Sequence, residues 1–123
     1  MDKLSKLTKE LFLFFDDDYM GLFHVIGIIE EDYFKFESCE ELKKFTLDYT
    51  FKLLEAKFIK VGCLLDKGGF DEWKESPQEI IARIDQEWDG SRYESHGLPG
   101  LYGIWFDMTE QGKEELKRLK AME

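Results

Sequence analysis

Two histidines, two cysteines and a surplus of carboxylates are the side chains in this 123-residue chain with the chemistry for catalysis or metal binding. His24 and His96 lie far apart. Cys39 and Cys63 show neither CxxC nor HxxxH spacing, so no zinc-ligand set forms and neither a metal nor another cofactor is expected. His24, between Phe23 and Val25, reads as a core or rim residue, and His96, just before Gly97 and Pro99, as a solvated loop residue. Cys39 opens a capped helix, where the helix dipole lowers a thiol pKa, yet a small packing residue in a first turn is the simpler reading. There is no GxSxG nucleophile elbow, and Lys67-Gly68-Gly69 lacks the frame of a phosphate-binding loop. Asp85 and Asp89, at i and i+4, read as a solvated helix face rather than an acid–base pair. The expectation is a protein with no catalytic residues, not an enzyme.

Charge is more informative. Acidic residues outnumber basic ones 27 to 17, for a formal charge of −10 and a pI near 4.7. That balance repels phosphate backbones and anionic membranes and favours a basic protein partner. Two clusters concentrate it. Glu10, Asp16, Asp17, Asp18, Glu30, Glu31 and Asp32 have no Lys or Arg between them. From Asp66 to Glu94 nine carboxylates face four basic residues, interleaved with Phe70, Trp73, Trp88 and Tyr93. Aromatics set among charges are typical interface anchors, although the same rings also suit a core. The expected contact region is therefore Asp71, Glu72, Trp73, Glu75, Asp85, Trp88 and Asp89.

The elements that must position these groups follow from periodicity and caps. Residues 2–15 place Leu4, Leu7, Leu11 and Phe14 at helical spacing. Asp16 to Asp18 end that helix or cap the next one, and Tyr19 to Ile29 reads as a buried helix. Ser38 and Glu41 have the spacing of a capping box ahead of a long helix with two apolar stripes. One stripe holds Leu42, Phe45, Tyr49, Leu53 and Ala56, and the other Leu47, Phe51, Leu54 and Phe58. Ile59 to Leu65 reads as a strand leading into a turn at residues 66–69. A second capping box, Ser76-Pro77-Gln78-Glu79, starts a helix with Ile80, Ile81, Ile84 and Trp88 on one face, and Gly90 is its expected stop. Leu101 to Met108 reads as an aromatic strand, and Thr109 caps a last helix carrying Leu116, Leu119 and Met122.

A long buried helix running into one strand, answered by a second strand that ends in Thr109-Glu110-Gln111-Gly112-Lys113, resembles a winged-helix domain from Ser38 to Leu119. The fold expected is α+β, mainly helical: a single winged-helix-like domain over residues 1–123, with a small antiparallel sheet and an inserted helix. Winged helices often bind DNA. Here Glu40, Glu41, Asp48 and Glu55 cancel Lys43, Lys44, Lys52 and Lys57 on the would-be recognition helix, and no Arg is present to read guanine. Nucleic acid is therefore not the expected partner. A dimeric transcription regulator is the alternative, and homodimerisation is left open.

Several residues carry a second resemblance: Gly62, Leu65, Phe70 with Trp73, Ser76-Pro77, Ile81 with Ile84, Glu87-Trp88, Pro99, Trp105-Phe106, Thr109 and Gly112. Together they resemble small bacterial immunity proteins encoded beside polymorphic or contact-dependent growth-inhibition toxins. The resemblance implies a non-enzymatic protein that binds a cognate toxin, often a basic nuclease, and neutralises it. The first fifteen residues lack the apolar run and cleavage site of a signal peptide, and no apolar stretch suits a bilayer. The cytosol is the expected compartment, with the two cysteines as thiols.

Overall fold

A computed structural model describes residues 2–65, 67–88 and 103–122. Helix α1 spans Lys3–Asp17, with the Asp2 carboxylate accepting from the Ser5 amide. Its buried stripe is Leu7, Leu11, Phe12 and Phe15, not the expected Leu4, Leu7, Leu11 and Phe14. Leu4 and Phe14 stand in solvent. Leu11 through Phe15 is apolar all round, so periodicity alone offers two faces. Packing chooses the one on which Phe12 meets Phe58 and Phe15 meets Phe106, both edge-on at about 6 Å between ring centres.

Residues 19–29 are not one helix. Strand β1, Met20–Gly21, comes first, then helix α2, Leu22–Ile28, which widens into a π-helical turn over Ile29–Tyr33. Helix α3 spans Cys39–Glu55. Ser38 Oγ accepts from the Glu41 amide, but the Glu41 carboxylate reaches back to the Glu37 amide, not to that of Ser38. The cap is thus spread over one more residue than the expected box. At its other end α3 closes in a Schellman motif. The Phe58 amide donates to Leu53 O and the Lys57 amide to Leu54 O, with Lys57 left-handed at φ 62°.

Strand β2, Ile59–Leu64, turns through Gly68 and Gly69, both at positive φ, into strand β3, Phe70–Glu72. Helix α4, Pro77–Glu87, carries the full capping box of Ser76 and Glu79. Strand β4 is Trp105–Met108, and helix α5 is Glu110–Ala121, capped by Thr109. Gly90 and residues 101–102, expected as a helix stop and the start of β4, lie outside the described residues.

The architecture is α+β and mainly helical, with one antiparallel sheet in the order β1-β4-β2-β3. Met20, Phe106 and Val61 line up across its inner face, and all three are buried. Helix α1 packs on β4 and α5, and α4 packs on α3. Gly62 pairs with Glu72, and a Cβ there would collide with the Asp71 carbonyl. The two strands therefore approach closely at Gly62, and Phe70 at the turn end of β3 stacks on Tyr19, 5.2 Å between rings.

The residues expected as a winged-helix signature serve one junction. Thr109 Oγ1 accepts from the Gly112 amide and donates to Lys57 O, while the Thr109 amide donates to Phe58 O. A Cβ on Gly112 would strike that same Phe58 carbonyl. Thr and Gly at this spacing let the start of α5 seat against the end of α3.

Candidate functional site

The structure divides the contact region expected from the sequence. Asp71 is exposed on β3, and Glu72 beside it is half-buried. Glu72 pairs with Lys74 at 3.2 Å, Glu75 with Arg83 at 3.2 Å, and Asp85 with Lys43 at 2.7 Å. Arg83 and Asp85 are two residues apart, so they leave α4 on nearly opposite sides. Asp85 consequently faces α3, while Glu75 stays with the β3 side. Asp89 lies outside the described residues.

Trp73 and Trp88 correct the expectation of exposed anchors, since their exposures are 7% and 1% and both belong to the core. The Trp73 amide donates to Val61 O at 2.8 Å, extending the β2–β3 ladder by one residue and turning the ring inward. Its outer face is covered by the Arg83 guanidinium, 3.7 Å away. Trp88 follows Ile80 and Ile84 on the buried side of α4. Lys43 of α3 donates to Asp85 O and Trp88 O at 3.2 and 2.8 Å, satisfying terminal carbonyls of α4 as cations at helix ends do.

The first acidic cluster presents a different surface. Leu13 and Phe14 are 43% and 50% exposed at the end of α1, followed by exposed Asp16, Asp17 and Asp18. Two clefts meet there. One, of about 480 Å³, is floored by Tyr19, Met20, Phe23, Gly27 and Ile28 and rimmed by Asp17, Asp18, His24 and Glu31. The other, of about 750 Å³, is lined by Glu10, Leu13, Phe14, Asp16 and Asp17. Phe14 and Asp17 belong to both and form the ridge between them. Neither cleft has a Lys or Arg in its lining. Asp16, Asp17 and Glu31 have no ion-pair partner among the described residues. Glu10 is tied down by the Tyr33 hydroxyl, which donates to it at 2.9 Å. Burial and that carboxylate push Tyr33 up to about 12.

Sequence reasoning noted these carboxylates but not their site. The missed signal is arithmetic on α1. Once Leu7, Leu11, Phe12 and Phe15 are assigned inward, Leu13 and Phe14 are left outside, directly ahead of three aspartates.

The other chemical candidates stay apart. His24 is exposed on α2 with its ring against Phe23 at 4.2 Å, a rim position. Cys39 and Cys63 are half-buried and not disulfide-bonded. Among the described residues no group of three His, Cys, Asp or Glu is arranged to hold a metal, and no helix is long and apolar enough to cross a membrane. Comparison with protein-family models, curated proteins and solved structures gives no match.

Proposed function

We propose that the protein is a cytoplasmic, non-enzymatic immunity-type protein that binds and neutralises a basic toxin domain, a nuclease being the natural target. The observation that carries this reading is the face around Phe14, where exposed apolar side chains sit among carboxylates, of which Asp16, Asp17 and Glu31 have no ion-pair partner among the described residues. Such a surface steers a basic partner into encounter and offers carboxylates where that partner would hold phosphates. Asp71, Glu72 and Glu75 add negative charge elsewhere, but Glu72 and Glu75 already have internal partners.

The fold also supports a second reading. A helix running into β2, with β4 between β1 and β2 in the sheet, resembles a winged helix in strand order, and on this reading β3 and α4 are an insertion in the wing. A winged-helix regulator would place α3 in a DNA groove. The outward side of α3 carries Glu40, Asp48 and Glu55 against Lys44 and Lys52, all exposed. Its flank is occupied by α4, which takes up Lys43. The sign of that surface and the cover on its flank favour the protein-binding reading.

The test reads the neighbouring reading frames for a carboxy-terminal toxin domain and co-expresses the chain with it, and the absence of any such domain counts against the reading. The reading expects rescue of growth and co-elution of the two chains at low salt, with association slowing as salt rises. Absence of both rescue and co-elution overturns it. Retention of the protein on duplex DNA from its own promoter would favour the regulator instead.

A further inference from the structure

We infer that the twin clefts astride Phe14 are the docking seat, and that their occupant is an amphipathic cationic segment of the partner, with Lys or Arg beside aliphatic side chains. This rests on the reading of the protein as a binder of a basic protein and specifies where and through what chemistry it binds.

Three features combine at the seat. The clefts, about 480 and 750 Å³, fall in the range that holds a ligand-sized group. Phe23 and Ile28 make one floor apolar, and the half-exposed Phe14 is an aromatic ridge of the kind that anchors interfaces. Asp17, Asp18 and Glu31 stand at the rim, so a cation reaching them need not leave solvent to be paired. An apolar floor with an anionic rim is complementary to aliphatic residues flanked by Lys or Arg.

Other occupants fit less well. A second copy of the chain would bring −10 against −10, and three of the four cations of α5 are spent internally: Lys113 on Glu110, Lys117 on Glu114, Arg118 on Glu115. Nucleic acid and anionic lipid have the wrong sign.

The experiment titrates the full-length, isotope-labelled chain with a synthetic amphipathic Leu/Lys peptide. Oligolysine and a Leu/Glu peptide serve as comparisons, with NMR shifts as the readout. The expected result is Leu/Lys binding with shifts centred on residues 13–31, weaker oligolysine binding and no Leu/Glu binding. Phe14→Ser and Asp17→Lys alter exposed positions, so each should melt with the parent yet bind the Leu/Lys peptide about tenfold more weakly. The triple charge reversal of Asp71, Glu72 and Glu75 should change affinity less than about twofold, the loss expected of peripheral charges. Shifts centred on residues 71–85, oligolysine binding as tight as the Leu/Lys peptide, an unaffected Asp17→Lys variant, or no peptide binding would each overturn the seat. The immunity reading would survive those outcomes if the chain still co-elutes with a toxin domain encoded beside it. Loss of co-elution with peptide binding intact would instead remove the immunity reading.

Discussion

The guanidinium carbon of Arg83 lies 3.7 Å from the centre of the Trp73 ring, and the same guanidinium pairs with Glu75. One arginine therefore clamps α4 onto the strand end of β3 and closes the outer side of a buried indole. Arg83→Ala should cost about 1 kcal/mol, summing a cation–π contact and a part-exposed ion pair, and lower the melting temperature by about 3–5 °C. Glu75→Gln should cost about half of that or less, because the stacking survives. Trp73→Ala should cost about 3–5 kcal/mol through the cavity it leaves. Urea unfolding of the three variants gives the order, and equal losses for Arg83→Ala and Glu75→Gln would show that the stack contributes nothing.

Thr8 and Tyr49 share a hydroxyl–hydroxyl hydrogen bond of 2.6 Å between α1 and α3, and its two ends are not equivalent. Thr8 also donates to Leu4 O, whereas Tyr49 is buried. Tyr49→Phe should therefore cost about 1 kcal/mol or less, since Thr8 keeps a partner. Thr8→Val strands a buried phenol and should cost about 1–3 kcal/mol. Chemical denaturation distinguishes the two, and a larger loss for Tyr49→Phe would contradict this account.

Alkaline pH should unfold the protein through its tyrosines. Burial raises Tyr49, and burial with the Glu10 carboxylate raises Tyr33 to about 12. The unfolded chain ionises both near pH 10. Raised native values mean that their contribution is complete below about pH 10 and is lost as pH climbs toward 12. Absorbance at 295 nm should show late-titrating tyrosinate coincident with loss of helical circular dichroism. Tyr33→Phe should remove part of that late phase. Complete tyrosine ionisation near pH 10 with the fold intact would refute the assignment.

Backbone sites should respond in opposite directions. Gly27 lies in α2 with nothing near its missing Cβ, so Gly27→Ala should stabilise by about 0.5–1 kcal/mol. Lys57→Gly relieves a left-handed lysine and should gain a similar amount. Gly62→Ala and Gly112→Ala drive a methyl into the carbonyls of Asp71 and Phe58, and each should destabilise by about 2 kcal/mol or more. Melting temperatures check all four.

Elements with local chemistry were legible in the sequence. The box of Ser76 and Glu79, the Thr109 cap and the glycine turn after β2 each satisfy their backbone within a few residues, and the structure has them in place. What failed depends on distant partners. The inward face of α1 is chosen by Phe58 and Phe106, and β1 exists because β4 arrives some 85 residues later to pair with it. The interiority of Trp73 and Trp88 is likewise tertiary, because an indole among acids has the same local sequence whether it anchors an interface or fills a core. The face at Phe14 escaped notice for the complementary reason: five consecutive apolar residues conceal which of them is left outside.

The half-exposed Phe14 also bears on how the unbound protein behaves in solution. An apolar ridge over open clefts is an adhesive spot, and the carboxylates beside it give every copy the same repulsive collar. Colloidal stability should then depend on that collar rather than on the fold. Near pH 4.7 the net charge vanishes, and at about 1 M salt electrostatic reach shrinks to about 3 Å. Either condition should bring copies together through Phe14 while each domain stays folded, and Phe14→Ser should keep them apart.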